Sequence, residues 1–274
     1  MTDITHYTER RDALWKKCPH CDEPVFNQVL KRNFYACPHC DHYSPMPAEE
    51  RLRHLFDTEP LINLYPPSAP ETCLESLELM DFVSHTTFPD GHGQLIAAGE
   101  GTISGKPVIV AVVHPYSIPQ RGHFVTLLTC IRASLQKNLP LITVYPSDGL
   151  SKRKSDEPKQ SELTPAEITQ LKIELDGLSQ ARLPQITALT DIDVTGGFST
   201  RFPLGDLVVS EQKKVSHRGD GIPHLSDSPQ SDALIDLNAQ RQELPALLGK
   251  LLSFFADRQT VGRKATAKEI HSNS

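Results

Sequence analysis

Cys18-Pro19-His20-Cys21 and Cys37-Pro38-His39-Cys40 repeat the same four residues within one short stretch near the start of the chain. Each CxxC pair fits a tight knuckle that turns both sulfurs toward one point. Two such knuckles supply the tetrahedral thiolate cage that Zn²⁺ prefers, so the stretch reads as a zinc ribbon holding one ion through Cys18, Cys21, Cys37 and Cys40. The competing reading, ordinary thiols or an exposed redox pair, is outweighed by the matched doubling. His20 and His39 lie inside the knuckles and, with four cysteines at hand, are expected to face solvent. A Cys₄ site is coordinatively closed. It is therefore structural, and any chemistry belongs elsewhere in the chain.

Outward from the ribbon, Pro45-Met46-Pro47 closes the module, and Ala48 to Asp57 has the charge and leucine spacing of a short connecting helix. Pro60, Pro66, Pro67 and Pro70 exclude regular helix from the next stretch. The larger domain opens with an apolar strand from Gly99, a turn at Ser104-Gly105-Lys106, and the unbroken run Val108 to Val113, the signature of a strand buried on both faces. Phe124, Leu127, Leu128, Ile131 and Leu135 recur at helical spacing, and Leu139 to Tyr145 is again a buried-strand pattern. Thr164-Pro165-Ala166-Glu167 is a capping box that starts a helix carrying Ile168, Leu171, Leu175 and Leu178 on one face. Strands follow at Gln185 to Leu189 and Asp206 to Ser210, and Leu244, Leu247, Leu248, Leu251, Leu252 and Phe255 mark a final helix.

This alternation predicts an α/β domain with a mostly parallel sheet and a site among the strand-to-helix loops. The expected division is 1–47 for the N-terminal segment and ribbon, 48–98 for the connecting helix and Pro-rich linker, 99–260 for the α/β domain and 261–274 for a disordered tail.

With 274 residues the chain has room for one metal module and one domain with a full core. Its formal net charge of -6 gives no global basic field for nucleic acid. Lys16, Lys17, Lys31 and Arg32 make a modest basic face around the knuckles, which Asp22, Glu23 and Asp41 dilute, so nucleic-acid binding ranks last among the readings. No apolar run approaches the ~18 residues of a membrane span, and Met1 to Arg11 lacks a signal-peptide core. A cytoplasmic location is expected, in keeping with reduced, metal-held thiols, and Cys73 and Cys130 read as single buried or partly buried thiols.

Two loops carry glycine after a strand: Tyr145-Pro146-Ser147-Asp148-Gly149-Leu150, and Thr190 through Gly196-Gly197-Phe198. Glycine there lets a peptide N–H face a ligand, and two such groups aimed at one point would make an oxyanion hole for a thioester enolate or tetrahedral oxyanion. Side-chain catalysts are scarce. There is no GxSxG, HExxH or Walker loop, and His114, His123, His217 and His224 read as isolated loop histidines. Ser147 beside Asp148 has no indicated histidine partner. Ser151-Lys152-Arg153-Lys154 could meet the phosphates of a nucleotide or of coenzyme A, or be a solvated loop.

Taken together, Trp15-Lys16-Lys17-Cys18, Arg51-Leu52-Arg53-His54-Leu55-Phe56-Asp57, Gly101 to Val108, Leu139 to Ile142, Leu189-Thr190-Asp191, Gly196-Gly197, Leu204-Gly205-Asp206 and Ala233 to Asp236 resemble, in order, the β subunit family of bacterial acetyl-CoA carboxylase carboxyltransferase. The resemblance implies a Cys₄ ribbon joined to a crotonase-like domain. It implies a reaction in which carboxybiotin on a carrier protein gives its CO₂ to the enolate of acetyl-CoA or a related acyl thioester, forming malonyl-CoA for fatty acid synthesis. It also implies a partner α-type subunit, a biotin carboxyl carrier protein, and biotin and CoA thioester as substrates rather than bound cofactors. Carried over by position, Gly149 and Gly197 become the backbone oxyanion donors, with Asp148 and Gly196 beside the substrate.

The chain departs from that pattern where chemistry is expected. The family's Ser-Gly-Gly-Ala-Arg-Met loop is here Ser147-Asp148-Gly149-Leu150-Ser151-Lys152. A carboxylate at Asp148 opposes a developing oxyanion, and losing one hole donor costs about 10²–10³ in rate. A small-residue loop before the first long helix is replaced by Ser117 to Gly122, bulk enters at Phe198 and Arg201, and the segment from Ser216 through Ser231 is shortened. A divergent carboxyltransferase subunit is the first reading, and a catalytically degenerate paralogue serving as a binding or scaffold subunit of a carboxylase or biosynthetic complex is the second.

Overall fold

The unbroken apolar run Val108 to Val113 fixes the centre of the molecule, because such residues can only be satisfied by cover on both faces. In the computed structural model it forms most of β5 (Lys106–Val113), inside a seven-stranded sheet ordered β3-β4-β5-β6-β7-β8-β9. The structure describes residues 14–58, 61–62, 96–113, 121–146, 165–191, 205–211 and 235–256. β3 (Leu61–Ile62), β4 (Ile96–Ile103) and β5 pair antiparallel, whereas β6 (Leu141–Pro146), β7 (Gln185–Thr190), β8 (Leu207–Glu211) and β9 (Leu237–Ala239) continue from β5 in parallel. The predicted α/β class with a mostly parallel sheet is what the chain adopts. The strands of two or three residues, β3 and β9, were not predicted, being too short to show a period.

Alternate residues of β5 divide between two cores. Ile109, Ala111 and Val113 face one side with Leu141, Tyr145, Leu189 and Val208, beneath α3 (Arg121–Lys137) and α4 (Pro165–Gln180). Phe124, Leu127, Leu128 and Ile131 supply the inner stripe of α3, and Cys130 is fully buried among them as a small hydrophobe. Val108, Val110 and Val112 face the other side with Ile142, Val144, Ile186 and Val209, beneath α2 (Ala48–Leu55) and α5 (helical over 244–256). The helix expected to serve as a connector thus packs Leu52 and Leu55 into this second core. Among the described residues no helix is long and apolar enough to cross a membrane.

Several of the residue blocks on which the resemblance rests touch one another. The carboxylate of Asp57 accepts the backbone N–H groups of Ser104 and Gly105, both at 2.8 Å, closing the β4–β5 turn onto the end of α2. A Cβ on Gly101 would lie 2.8 Å from the Phe56 ring, so only glycine admits that close approach. Asp206 accepts the Gln185 N–H at 2.9 Å, and Asp236 accepts the Val208 N–H at 2.7 Å, each satisfying a donor beside a strand start. These short motifs hold the scaffold rather than a ligand.

Candidate functional site

The ribbon is built from two knuckles of one design. β1 (Trp15–Lys17) pairs antiparallel with β2 (Pro24–Phe26), followed by the single-turn helix α1 (Asn27–Arg32). In the first knuckle Cys18 N–H donates to Glu23 O and Asp22 N–H to Cys18 O; in the second, Cys37 N–H donates to His42 O and Asp41 N–H to Cys37 O. Both knuckles end on an aspartate in the left-handed region, Asp22 at φ 61 and Asp41 at φ 55. Aspartate tolerates that conformation better than most side chains. The repeated sequence is therefore five residues long, Cys-Pro-His-Cys-Asp, and its last position carries the turn that closes each knuckle.

Cys18, Cys21, Cys37 and Cys40 converge, with all their ligand atoms within 4.8 Å of one another. The Cys18–Cys40 sulfurs stand 3.7 Å apart and the Cys21–Cys37 sulfurs 3.8 Å. Sulfurs about 2.3 Å from a tetrahedral Zn²⁺ have edges of about 3.8 Å. The donor set fits zinc in size, number and softness. His20 and His39 are exposed, as expected, and His20 stacks on His42 at 5.4 Å between ring centroids.

Asp148, Gly149, Gly196 and Gly197 lie outside the described residues, as do Ser147, Cys73, His114, His217 and His224. The described strands do fix where the two glycine loops depart. Tyr145 pairs with Leu189 and Pro146 with Thr190, so both loops leave neighbouring parallel strands at the same, C-terminal edge of the sheet. That edge is where parallel sheets bind ligands.

At this edge lies a cluster that the sequence did not disclose. Arg51, Arg241, Asp191 and Glu211 are buried together, two positive and two negative charges, with Arg51 at 1% exposed and Arg241 at 0%. Arg51 donates to Glu211 Oε1 at 2.6 Å and to Asp191 Oδ2 at 3.2 Å, while Arg241 donates to Glu211 Oε1 at 2.9 Å and to Asp191 Oδ1 at 2.8 Å. The Asp191 N–H donates in turn to Glu211 Oε2 at 3.2 Å. Asp191 sits at φ 52, directly after β7, so the chain leaves that strand through a left-handed residue fixed by two guanidiniums. Burial alone would raise the Glu211 carboxyl, but Arg51 and Arg241 outweigh it and hold the group down at about 2. Burial likewise opposes the charge on Arg51, and Glu211 with Asp191 reverses the balance, raising its pKa. A signal existed in the charged residues set against apolar strand ends, Asp191 after Ile186-Thr187-Ala188-Leu189-Thr190 and Glu211 after Val208-Val209-Ser210. Their pairing across the chain could not be inferred from position.

Fold and site define a class: a zinc ribbon seated on a layered α/β domain whose loop-bearing edge is braced by buried charge. Residues 15–40 match the acetyl-CoA carboxylase zinc finger domain family. The chain is 28% identical over 211 residues to the acetyl-coenzyme A carboxylase carboxyl transferase subunit beta of Carboxydothermus hydrogenoformans, covering 76% of this chain and 73% of that one. It is 26% identical over 275 residues to the subunit of the same name from Gluconobacter oxydans, covering 93% of this chain and 92% of that one. Among solved structures, the β subunit of P. aeruginosa geranyl-CoA carboxylase superposes with a TM-score of 0.49 at 17% identity, over 83% of this chain and 42% of that one. The chain thus carries a ribbon of the acetyl-CoA carboxylase zinc finger type and, over most of its length, is similar at low identity to carboxyl transferase β subunits.

Proposed function

We propose that this chain is the acyl-thioester half of a carboxyltransferase, moving CO₂ from carboxybiotin to acetyl-CoA or a related acyl-CoA in concert with an α-type subunit and a biotin carrier protein. The observation that carries this reading is colinear likeness to carboxyl transferase β subunits across 93% of the chain, together with the shared ribbon. The departure of the loops bearing Gly149 and Gly197 from adjacent strands supports it, because N–H groups on neighbouring loops can be aimed at one oxygen. The domain division of 1–47, 48–98, 99–260 and 261–274 belongs to the same reading, with the 99–260 part crotonase-like.

In the proposed reaction the α-carbon of the acyl-CoA loses a proton to give an enolate. Its oxygen is held by the Gly149 and Gly197 N–H groups. The carbon then forms a C–C bond to the carboxyl carbon as the N–C bond to biotin breaks, the electron pair returns to the biotin ureido nitrogen, and that nitrogen takes up a proton in place of the one the α-carbon lost. Backbone donors suffice because the enolate, rather than a titrating side chain, is what needs stabilising. No observation among the described residues favours the scaffold alternative.

The test is to isolate the full-length protein with its bound partners and measure malonyl-CoA formation from carboxybiotin and acetyl-CoA, for the native protein and for Asp148→Gly. Turnover in the complex, raised by Asp148→Gly, is expected. A zinc-loaded complex that turns over no acyl-CoA in either form would overturn the reading and leave the scaffold.

A further inference from the structure

Arg241 uses all five guanidinium N–H groups, and it divides them between two parts of the molecule. Three go to carboxylates at the sheet edge: Nε to Glu211 Oε1 at 2.9 Å, and Nη2 to Glu211 Oε2 at 3.0 Å and Asp191 Oδ1 at 2.8 Å. Nη1 goes to the ribbon, donating to Phe34 O at 3.1 Å and Ser44 O at 2.9 Å. Those carbonyls lie on the two legs of the second knuckle, joined between them by the Ala36–Tyr43 bridge and the Ser44 N–H to Tyr35 O bond. The Tyr43 ring lies under the guanidinium at 4.3 Å, and its hydroxyl accepts the Arg241 N–H at 3.3 Å. Arg51 carries the same charge in the same cluster, yet its side-chain bonds go to Asp191 and Glu211 rather than to the ribbon.

The ribbon has little else to keep its shape. Its core is Cys18, Val25, Leu30 and Cys37, with Cys21, Tyr35 and Cys40 packed alongside, so the metal ligands are themselves most of the core. A module this small takes its fold from its metal. If the knuckle legs part, Phe34 O and Ser44 O leave Arg241, and two buried N–H donors lose their acceptors next to Asp191 and Glu211.

We infer that Arg241 makes zinc occupancy of the ribbon and order at the C-terminal ends of β7 and β8 a single linked equilibrium, with Arg241 as the positioning residue that transmits it. Linkage is reciprocal: if zinc orders the edge, the intact edge must favour zinc by the same factor. The inference stands apart from the reaction proposed above and is tested without it.

The experiment uses full-length protein and compares Arg241→Met with Arg51→Met. Each removes one guanidinium and leaves one net negative charge in the cluster, so the change in buried charge is matched. Zinc transfer to a chromogenic chelator is expected to be about tenfold more favourable from Arg241→Met than from Arg51→Met. Equal zinc retention by the two variants would overturn the inference. A second measurement needs no variant: stripping zinc from the native protein should speed amide hydrogen exchange at Asp191 and Arg241 while β5 and β6 stay protected. Unchanged exchange at Asp191 and Arg241 would sink the idea even if Arg241→Met does not fold.

Discussion

Glu211→Gln should destabilise the folded protein by roughly 3 kcal/mol at neutral pH, and two routes through the structure give that size. The first is electrostatic. Glu211 accepts from Arg51 at 2.6 and 3.2 Å, from Arg241 at 2.9 and 3.0 Å and from the Asp191 N–H at 3.2 Å. Replacing it leaves two guanidiniums against Asp191 alone, and it turns an amide NH₂ donor toward donors. Removing one partner of a buried ion pair costs about 3–5 kcal/mol. The second route is proton linkage. A carboxyl held at about 2 rather than its ordinary 4.5 has its charged form stabilised by roughly 3 kcal/mol at neutral pH.

The sign follows from the depressed value. Glu211 contributes its full stability above its unfolded pKa of 4.5, and that contribution is lost as pH falls from there toward about 2. Urea unfolding of zinc-saturated native and variant proteins at a series of pH values is the assay. The midpoint gap should be largest at pH 7 and narrow below about pH 5, and thermal melts at pH 7 should differ by roughly 6–12 °C. A variant within 1 kcal/mol of the native protein at pH 7, or a gap that does not change with pH, would refute the reasoning that the cluster is a net stabilising ionic network.

Gly249→Ala should cost about 1–3 kcal/mol in urea unfolding, since its Cβ would fall 2.6 Å from Ser104 Cβ and also collide with the Ser104 hydroxyl. Ser104→Gly in the same chain should recover most of that loss, and it also relieves a non-glycine residue at φ 51. His54 donates from Nε2 to the Arg241 carbonyl at 2.8 Å, and burial, with Arg51 adding to it, pushes its pKa below 6.5. An NMR titration should therefore find the His54 midpoint below 6.5 with the proton of the neutral ring on Nε2, and the stability the neutral ring confers lost as pH falls from 6.5 toward that midpoint. Cys37→Ser should abolish zinc binding and unfold the ribbon, read as metal content against near-UV circular dichroism.

The parts of this fold that could be read from sequence are those where apolar residues run long enough to show a period. Val108 to Val113, the stripe of α3 from Phe124 to Ile131 and the closing leucines of α5 each span at least two repeats of their element's geometry. β9 and the ribbon strands, at three residues each, are set by what they pair with, and their own composition says little. The zinc ligands were legible because four thiols at knuckle spacing admit few other uses. The buried charges were not, because Arg51 meets Asp191 and Glu211 across 140 and 160 residues of chain, and a lone arginine on a short helix looks solvent-exposed until its partners are located. Gly149 and Gly197 remain positions assigned by resemblance, on loops whose points of departure the strand register places side by side.

The same separation sets an order of events as the chain is made. Arg241 lies 207 residues beyond Phe34, so the ribbon can emerge, capture zinc and close long before the guanidinium that seats it exists. α2 meets its cover earlier, when β4 and β5 emerge beside Leu52 and Leu55, and Arg51 gains its counter-charges once Asp191 and Glu211 are made, so the ribbon-facing bonds of Arg241 are the last of these contacts to become available. Docking of the ribbon is therefore a late step, dependent on nearly complete synthesis. Chains that end before Arg241 should carry a folded metal module tethered to an unclosed domain, the kind of intermediate that aggregates.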